Sequence, residues 1–163
     1  MNTVYLSIGT NMGNRAANLE LVHSLISRNI GIVSKESSIY ETAAWGVENQ
    51  EDYYNQVLCV KTALEPTVLL HKCQVIEQKM GRVRMLKWEP RIIDIDILFF
   101  NDLVLQEKEL KIPHPLLQER NFVLKPLCEI AMEWKHPGLN KTVQELLEIC
   151  TDDTSAVLLE LAD

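Results

Sequence analysis

The fold is constrained most by the order in which two periodicities alternate along the chain. Residues 3–9 (TVYLSIG) repeat every second position, with Val4, Leu6 and Ile8 on one side and Thr3, Tyr5 and Ser7 on the other, as a strand does. Residues 9–14 (GTNMGN) are turn formers. Residues 15–29 then carry Leu19, Val22, Leu25 and Ile26 at helical spacing. Residues 30–41 read as a second strand, 42–52 as a loop and 53–64 as a third strand. Pro66 suits the first turn of a helix, where a missing N–H leaves nothing unpaired. That helix is predicted to run to about residue 80, with Val68, Leu69, Val75 and Ile76 inward and Gly81 as its stop. A strand over 91–100 (RIIDIDILFF), a turn at Asn101-Asp102 and a return over 103–106 follow, with another short strand before Pro113. Residues 115–132 read as a short helix and a longer one. Residues 142–150 read as a helix with Thr142 and Glu145 in capping-box spacing, and 156–161 as a last strand or helical turn. The order β-α-β-β-α-β predicts an α+β fold, a ferredoxin-like α/β sandwich with a mainly antiparallel sheet and flanking helices. Neither a repeat nor a linker interrupts the 163 residues, so one domain over 1–163 is expected.

Charge narrows the partners. The net charge of −7 argues against a broad nucleic-acid or anionic-membrane surface. Yet five of the 16 basic residues and a single acid, Glu89, fall within 79–91. A solvated loop and a site for a small polyanion both account for that segment. No apolar run approaches the ~20 residues of a membrane span. The N-terminus lacks the pattern of a secretory signal, so the cytoplasm is the expected setting. Cys59, Cys73, Cys128 and Cys150 form no C-x-x-C pair and read as small buried hydrophobes in a reducing compartment. His23, His71, His114 and His136 show no zinc-ligand spacing with them.

The segment 90–100 carries the chemistry. On a strand, Asp94 and Asp96 project from one face with Cα atoms roughly 6.5–7 Å apart, and Ile93, Ile95 and Ile97 from the other. Two carboxylates so placed repel by roughly 2–3 kcal/mol at an effective dielectric of ~20. Water on the polar face of an edge strand would relieve this, and so would Mg²⁺, which takes one or two protein carboxylates and completes its shell with water and phosphate oxygens. Arg91 and the cationic segment just upstream favour the ion. Carboxylates, metal and guanidinium groups around one point form the equipment of phosphoryl transfer. The chain holds no P-loop, no G-x-G-x-x-G and no G-x-S-x-G motif.

Several short motifs then occur in order between residues 4 and 134. They are YLSIGTNMGNR, Tyr40-x-Thr42, Asp52-Tyr53-x-Asn55, Gln74-x-x-Glu77, Gly81-Arg82-Val83-Arg84, Trp88-x-Pro90-Arg91-x-x-Asp94-x-Asp96, Pro113-His114 and Arg120-x-Phe122. Each is weak alone. Together the chain resembles the 6-hydroxymethyl-7,8-dihydropterin pyrophosphokinase family of folate biosynthesis. The resemblance implies that ATP gives its β,γ-pyrophosphoryl unit to the pterin hydroxymethyl group and leaves as AMP. It implies two Mg²⁺ ions on Asp94 and Asp96, with Arg82 and Arg91 completing the catalytic set. Gln74, Glu77, Arg82, Arg84, Arg91, Ile97, Lys111, His114 and Arg120 correspond to nucleotide-binding positions. Thr42, Ala43, Ala44, Trp45, Tyr53, Asn55, Trp88, Asp94 and Phe122 correspond to the pterin pocket, with the pterin stacked between Tyr53 and Phe122.

Simpler roles exist for some of these residues. Gly81 serves as hinge or helix cap, His114 as phosphate ligand or turn former, Glu77 as nucleotide contact or surface charge, and Tyr53 and Phe122 as pocket or core. Glu89 stands where the family pattern has Gly or Ala, and Ala43-Ala44-Trp45 replaces a proline-containing loop, which bears on the local pocket shape. No nucleic acid or membrane partner is implied, and a monomer suffices. A D-x-D nucleotidyl- or glycosyltransferase would use the same metal logic but gives no reason for Tyr53, Asn55 and Phe122. A ferredoxin-like regulatory module leaves the carboxylate pair unexplained.

Overall fold

The computed structural model describes residues 1–43, 51–81 and 92–159. Its elements are β1 (Asn2–Thr10), α1 (Arg15–Asn29), β2 (Ile32–Glu36), β3 (Tyr40–Thr42), β4 (Tyr53–Thr62), α2 (Pro66–Lys79), β5 (Asp94–Phe100), β6 (Leu105–Gln106), β7 (Lys111–Ile112), a 3₁₀ turn (Leu117–Glu119), α3 (Asn121–Ala131), α4 (Val143–Ile149) and β8 (Ala156–Leu158). The main sheet runs β5-β1-β4-β3-β8, with β2 also paired to β4, and the strand pairings among the described residues are antiparallel. This is the α+β, ferredoxin-like arrangement that the periodicities predict.

Helices cover both faces of the sheet. Leu19, Val22 and Ile26 of α1 and Leu69, Cys73 and Ile76 of α2 pack on Val4, Leu6 and Ile8 of β1 and Ile95 and Ile97 of β5. Val123, Leu124 and Leu127 of α3 and Val143 and Leu146 of α4 pack on the opposite face, against Tyr5, Val57, Cys59 and Phe99. The face of β1 that carries Tyr5 is therefore a second core. Asn14 caps α1, its side chain accepting the Ala17 N–H at 3.1 Å. The capping box of Thr142 and Glu145 starts α4, as its spacing predicts. Gly81 follows α2 with φ +90°, the left-handed conformation that ends a helix.

The structure corrects several local expectations. The predicted strand over 30–41 is two strands, because Ser37 replaces part of the ladder with its own side chain. Ser37 Oγ accepts the Val57 N–H at 2.9 Å, and Gln56 Nε2 donates to the Ser37 carbonyl at 2.8 Å. The return over 103–106 does not pair with β5. Asn101, at φ 49°, exchanges hydrogen bonds with the Thr3 backbone at 2.8 Å each, and β6 pairs instead with β7 in a separate two-stranded sheet. Val68 is exposed, since the buried stripe of α2 runs through Leu69, Cys73 and Ile76. Cys59 and Cys73 are buried, whereas Cys128 and Cys150 are only partly so.

One irregularity shapes the functional end. The β1–β5 register pairs Tyr5 with Phe99 but Leu6 with Ile97, so Leu98 is an extra residue on β5. Such a bulge switches faces. Ile97 and Phe100 consequently enter the same core, and the bulged Leu98 carbonyl accepts the His114 N–H at 3.0 Å.

Candidate active site

Three neighbouring strands change character together along the α3 side of the sheet. Tyr5 lies between Cys59 and Phe99, Ser7 between Val57 and Asp96, and Gly9 between Asn55 and Asp94. The first row is packed core. The last has a residue with no side chain flanked by an amide and a carboxylate. Asp94 is half-buried and Asp96 exposed, with Ile95 buried on the other face between them. The alternation expected of Asp94 and Asp96 is thus present, on a strand at the edge of the sheet.

Gly9 makes room for Asn55. A Cβ at Gly9 would stand 2.8 Å from Asn55 Oδ1 and 3.8 Å from Tyr53 Cδ1. The Asn55 Nδ2 donates to Thr42 Oγ1 at 2.7 Å, and both residues are buried. Thr42 is itself paired with Tyr53 across β3 and β4. Tyr53, Asn55 and Thr42 therefore form one hydrogen-bonded corner, with Ala43 exposed beside it. Arg15 fixes the start of β4 from outside. Its guanidinium donates to the Asp52 carbonyl at 2.7 Å, pairs with Glu41 and Glu51, and lies 4.0 Å over the Tyr54 ring.

Glu77 is buried, contrary to a plain surface charge, and its Oε2 accepts the Ile95 N–H at 3.0 Å. It thereby ties α2 to the residue between the two aspartates. Gln74, one turn earlier, is exposed, as is Lys111 on β7. The Ile97 side chain is buried in the core, so only its main chain is available to a nucleotide. His114 follows a cis Ile112–Pro113 bond. Burial is the main influence on its ring and pulls the pKa below the ordinary value, the nearby Asp96 carboxylate opposing this and Arg120 adding to it. The ring is thus neutral near pH 7. Its Nδ1 accepts the Leu116 N–H at 3.2 Å, which places the proton on Nε2, free to donate to a phosphate oxygen. The Arg120 guanidinium stands 5.6 Å from the Phe122 ring centroid, at the start of α3.

The structure brings Asp96 and Arg120 within electrostatic reach of His114, and joins Asn55 to Thr42 and Tyr53. Ala44, Trp45, Arg82, Arg84, Trp88 and Arg91 lie outside the described residues. Ser7 and Gly9 are the site positions that the sequence did not single out. The decreasing size of Tyr5, Ser7 and Gly9 on one face of β1 is the signal that marks them. Asp94 and Asp96 offer hard oxygen donors in the number that Mg²⁺ takes from a protein, so the donor set fits that ion.

Fold and site together define a ferredoxin-like α+β protein with a two-carboxylate site at one end of its sheet. The model of the 7,8-dihydro-6-hydroxymethylpterin-pyrophosphokinase family matches residues 5–132, and the chain belongs to that family. The 2-amino-4-hydroxy-6-hydroxymethyldihydropteridine pyrophosphokinase of Aquifex aeolicus is 43% identical over 145 residues, 89% of this chain and 90% of the relative. The Bacillus subtilis enzyme of the same name is 41% identical over 133 residues, 81% of this chain and 80% of its own. Among solved structures, a Plasmodium falciparum HPPK-DHPS shares the fold with a TM-score of 0.75 at 22% identity, over 91% of this chain and 43% of that one. The activity of this family is pyrophosphoryl transfer in folate biosynthesis, with ATP as donor and the hydroxymethyl dihydropterin as acceptor.

Proposed function

We propose that Asp94 and Asp96 hold two Mg²⁺ ions against the triphosphate of ATP while the pterin lies over Gly9, between Tyr53 and Phe122. When bound, the ions would neutralise phosphate oxygens and make the pterin hydroxyl more acidic. Asn55 offers its amide to the polar edge of the heterocycle, held in place by Thr42. Ala43, Ala44, Trp45 and Trp88 complete that pocket. His114 donates from Nε2, and Arg91, Arg120 and Lys111 meet the phosphates as cations. Gln74, Glu77 and the Ile97 main chain border the nucleotide, and Arg82 and Arg84 close over it and exclude water. The pterin hydroxyl oxygen bonds to the β-phosphorus, the bond from that phosphorus to the α-phosphate oxygen breaks, and the hydroxyl proton leaves to solvent. No side chain is assigned as general base.

The observation that carries this reading is the row Asp94–Gly9–Asn55, which sets a carboxylate and an amide on either side of a residue with no side chain. Analysis of the products from ATP tests it. AMP and a pterin diphosphate, formed only when both substrates are present, are expected. ADP as product, or AMP formed without pterin, would contradict it. Arg82→Ala is expected to slow turnover far more than it weakens pterin binding, and equal losses would remove the closing role.

A single domain over 1–163, a monomer and a cytoplasmic setting belong to the same proposal. Strands from both ends of the chain share one sheet, the site draws on one copy, and all four cysteines are free thiols. No helix among the described residues is long and apolar enough to cross a membrane.

A further inference from the structure

The acidic segment after α4 has no part in the site, yet it touches both of its walls. Asp152 Oδ2 accepts the Asn121 N–H at 3.0 Å, at the first residue of α3. The preceding residue, Arg120, is the N-cap of α3 and makes no side-chain cap of its own. A carboxylate from 31 residues downstream therefore does the capping, where the helix dipole favours negative charge. Asp152 Oδ1 accepts the Thr154 N–H at 3.0 Å, which bends the segment back on itself. The buried Asn121 Nδ2 donates to the carbonyls of Asp152 and Thr154. Lys125 Nζ reaches the Ala156 carbonyl at 3.3 Å. Ala156 then pairs with Thr42 in β3, the residue whose hydroxyl holds Asn55.

We infer that residues 152–158 form a positioning strap for the substrate site, with Asp152 fixing Arg120 and Phe122 at the start of α3 and Ala156 fixing Thr42 and, through it, Asn55. The residues flanking Asn121 are the two on this helix that the proposed mechanism uses. The strap holds them through Asn121, which lies between the two in the chain. Partial burial, the largest single influence, pushes the Asp152 carboxyl up, but hydrogen bonds from Thr154 and Asn121 and the Arg120 charge together outweigh it and hold the carboxyl below its ordinary range. Asp152 is thus ionised near pH 7.

The inference rests on the reading above, in which Arg120 and Phe122 contact substrates. Steady-state kinetics on the full chain test it, with ATP and pterin varied separately. Asp152→Ala removes both acceptors, and the KM values for both substrates are expected to rise roughly tenfold, with a smaller change in kcat. Asp152→Asn keeps one acceptor and is expected to fall between, and it keeps the test readable if the alanine variant does not fold. Thr142→Ala removes the cap of α4 instead, and is expected to lower Tm without moving either KM. If the Asp152 variants lower Tm as Thr142→Ala does and leave both KM values at the native level, the strap serves stability alone and the inference fails. Arg120→Ala and Phe122→Ala separate the two readings. Unchanged KM values in those variants sink the substrate assignment, whereas raised values there and native values in the Asp152 variants sink only the strap.

Discussion

The two ends of one sheet face differ in what their residues can still bind. At one end Tyr5, Phe99 and Trp134 meet edge to face or tilted, with ring centroids 5.0–6.3 Å apart, and His136 closes on Phe99 at 5.7 Å. At the other, four residues along β1, strands β1, β4 and β5 carry Gly9, Asn55 and Asp94. The β1–β4 ladder runs unbroken through both, whereas the bulge at Leu98 interrupts the β1–β5 ladder between them. On β1 and β4 the difference lies in side-chain volume and polarity, so a pocket can change there without change in the strands beneath it. It also separates two kinds of sensitivity, stability at the packed end and turnover at the open one.

Substitution at each end tests that separation. Asp96→Ala or Asp94→Ala is expected to lower kcat by about 10³-fold or more, by loss of charge stabilisation at the phosphates, with the fold intact. Near-normal rates in either, by AMP release, would break the comparison at its open end. Phe99→Ala is expected to cost about 3–5 kcal/mol of stability in denaturant titration while the remaining folded protein keeps its KM values. A stability change below about 1 kcal/mol would mean that this end is not the core described. Gly9→Ala sharpens the boundary. Its Cβ must displace Asn55 Oδ1, so pterin affinity is expected to fall about tenfold in a fluorescence titration, and nucleotide affinity much less.

The smallest effect concerns pH. Burial lowers the pKa of both His114 and His136 below the ordinary histidine value of 6.5. Below that value the unfolded chain binds protons that the folded chain refuses, so stability falls as pH drops through it toward the folded pKa values. A Tm loss of a few degrees is expected between about pH 7.5 and 5.5. His136 Nδ1 accepts two backbone N–H groups, from Gly138 at 3.0 Å and Leu139 at 2.9 Å, which an asparagine oxygen can replace. His136→Asn should therefore shrink the loss without affecting KM, whereas His114→Asn should also weaken ATP binding.

Much of this was legible in the sequence wherever a feature is local. The period-2 alternation gave Asp94 and Asp96 one face, and the spacing of Thr142 and Glu145 gave a cap. What stayed hidden depends on contacts across the chain. The break at Ser37 needs the β4 backbone to bond its hydroxyl, and the bulge at Leu98 appears only against the register of β1. Glu77 looks like a helix surface charge until Ile95 is brought to it. Asp152 looks like a solvated acid until α3 begins beside it. Gly9 was visible as a glycine, but its purpose is defined by the Asn55 amide on the neighbouring strand.

Calorimetric titration of a non-hydrolysable ATP analogue, with and without Mg²⁺, into the native chain and Asp96→Ala tests the carboxylate pair most directly. In the native chain Mg²⁺ should tighten binding by about tenfold or more, and Asp96→Ala should lose most of that gain. An equal gain from Mg²⁺ in both proteins would contradict the assignment of these carboxylates to the metal.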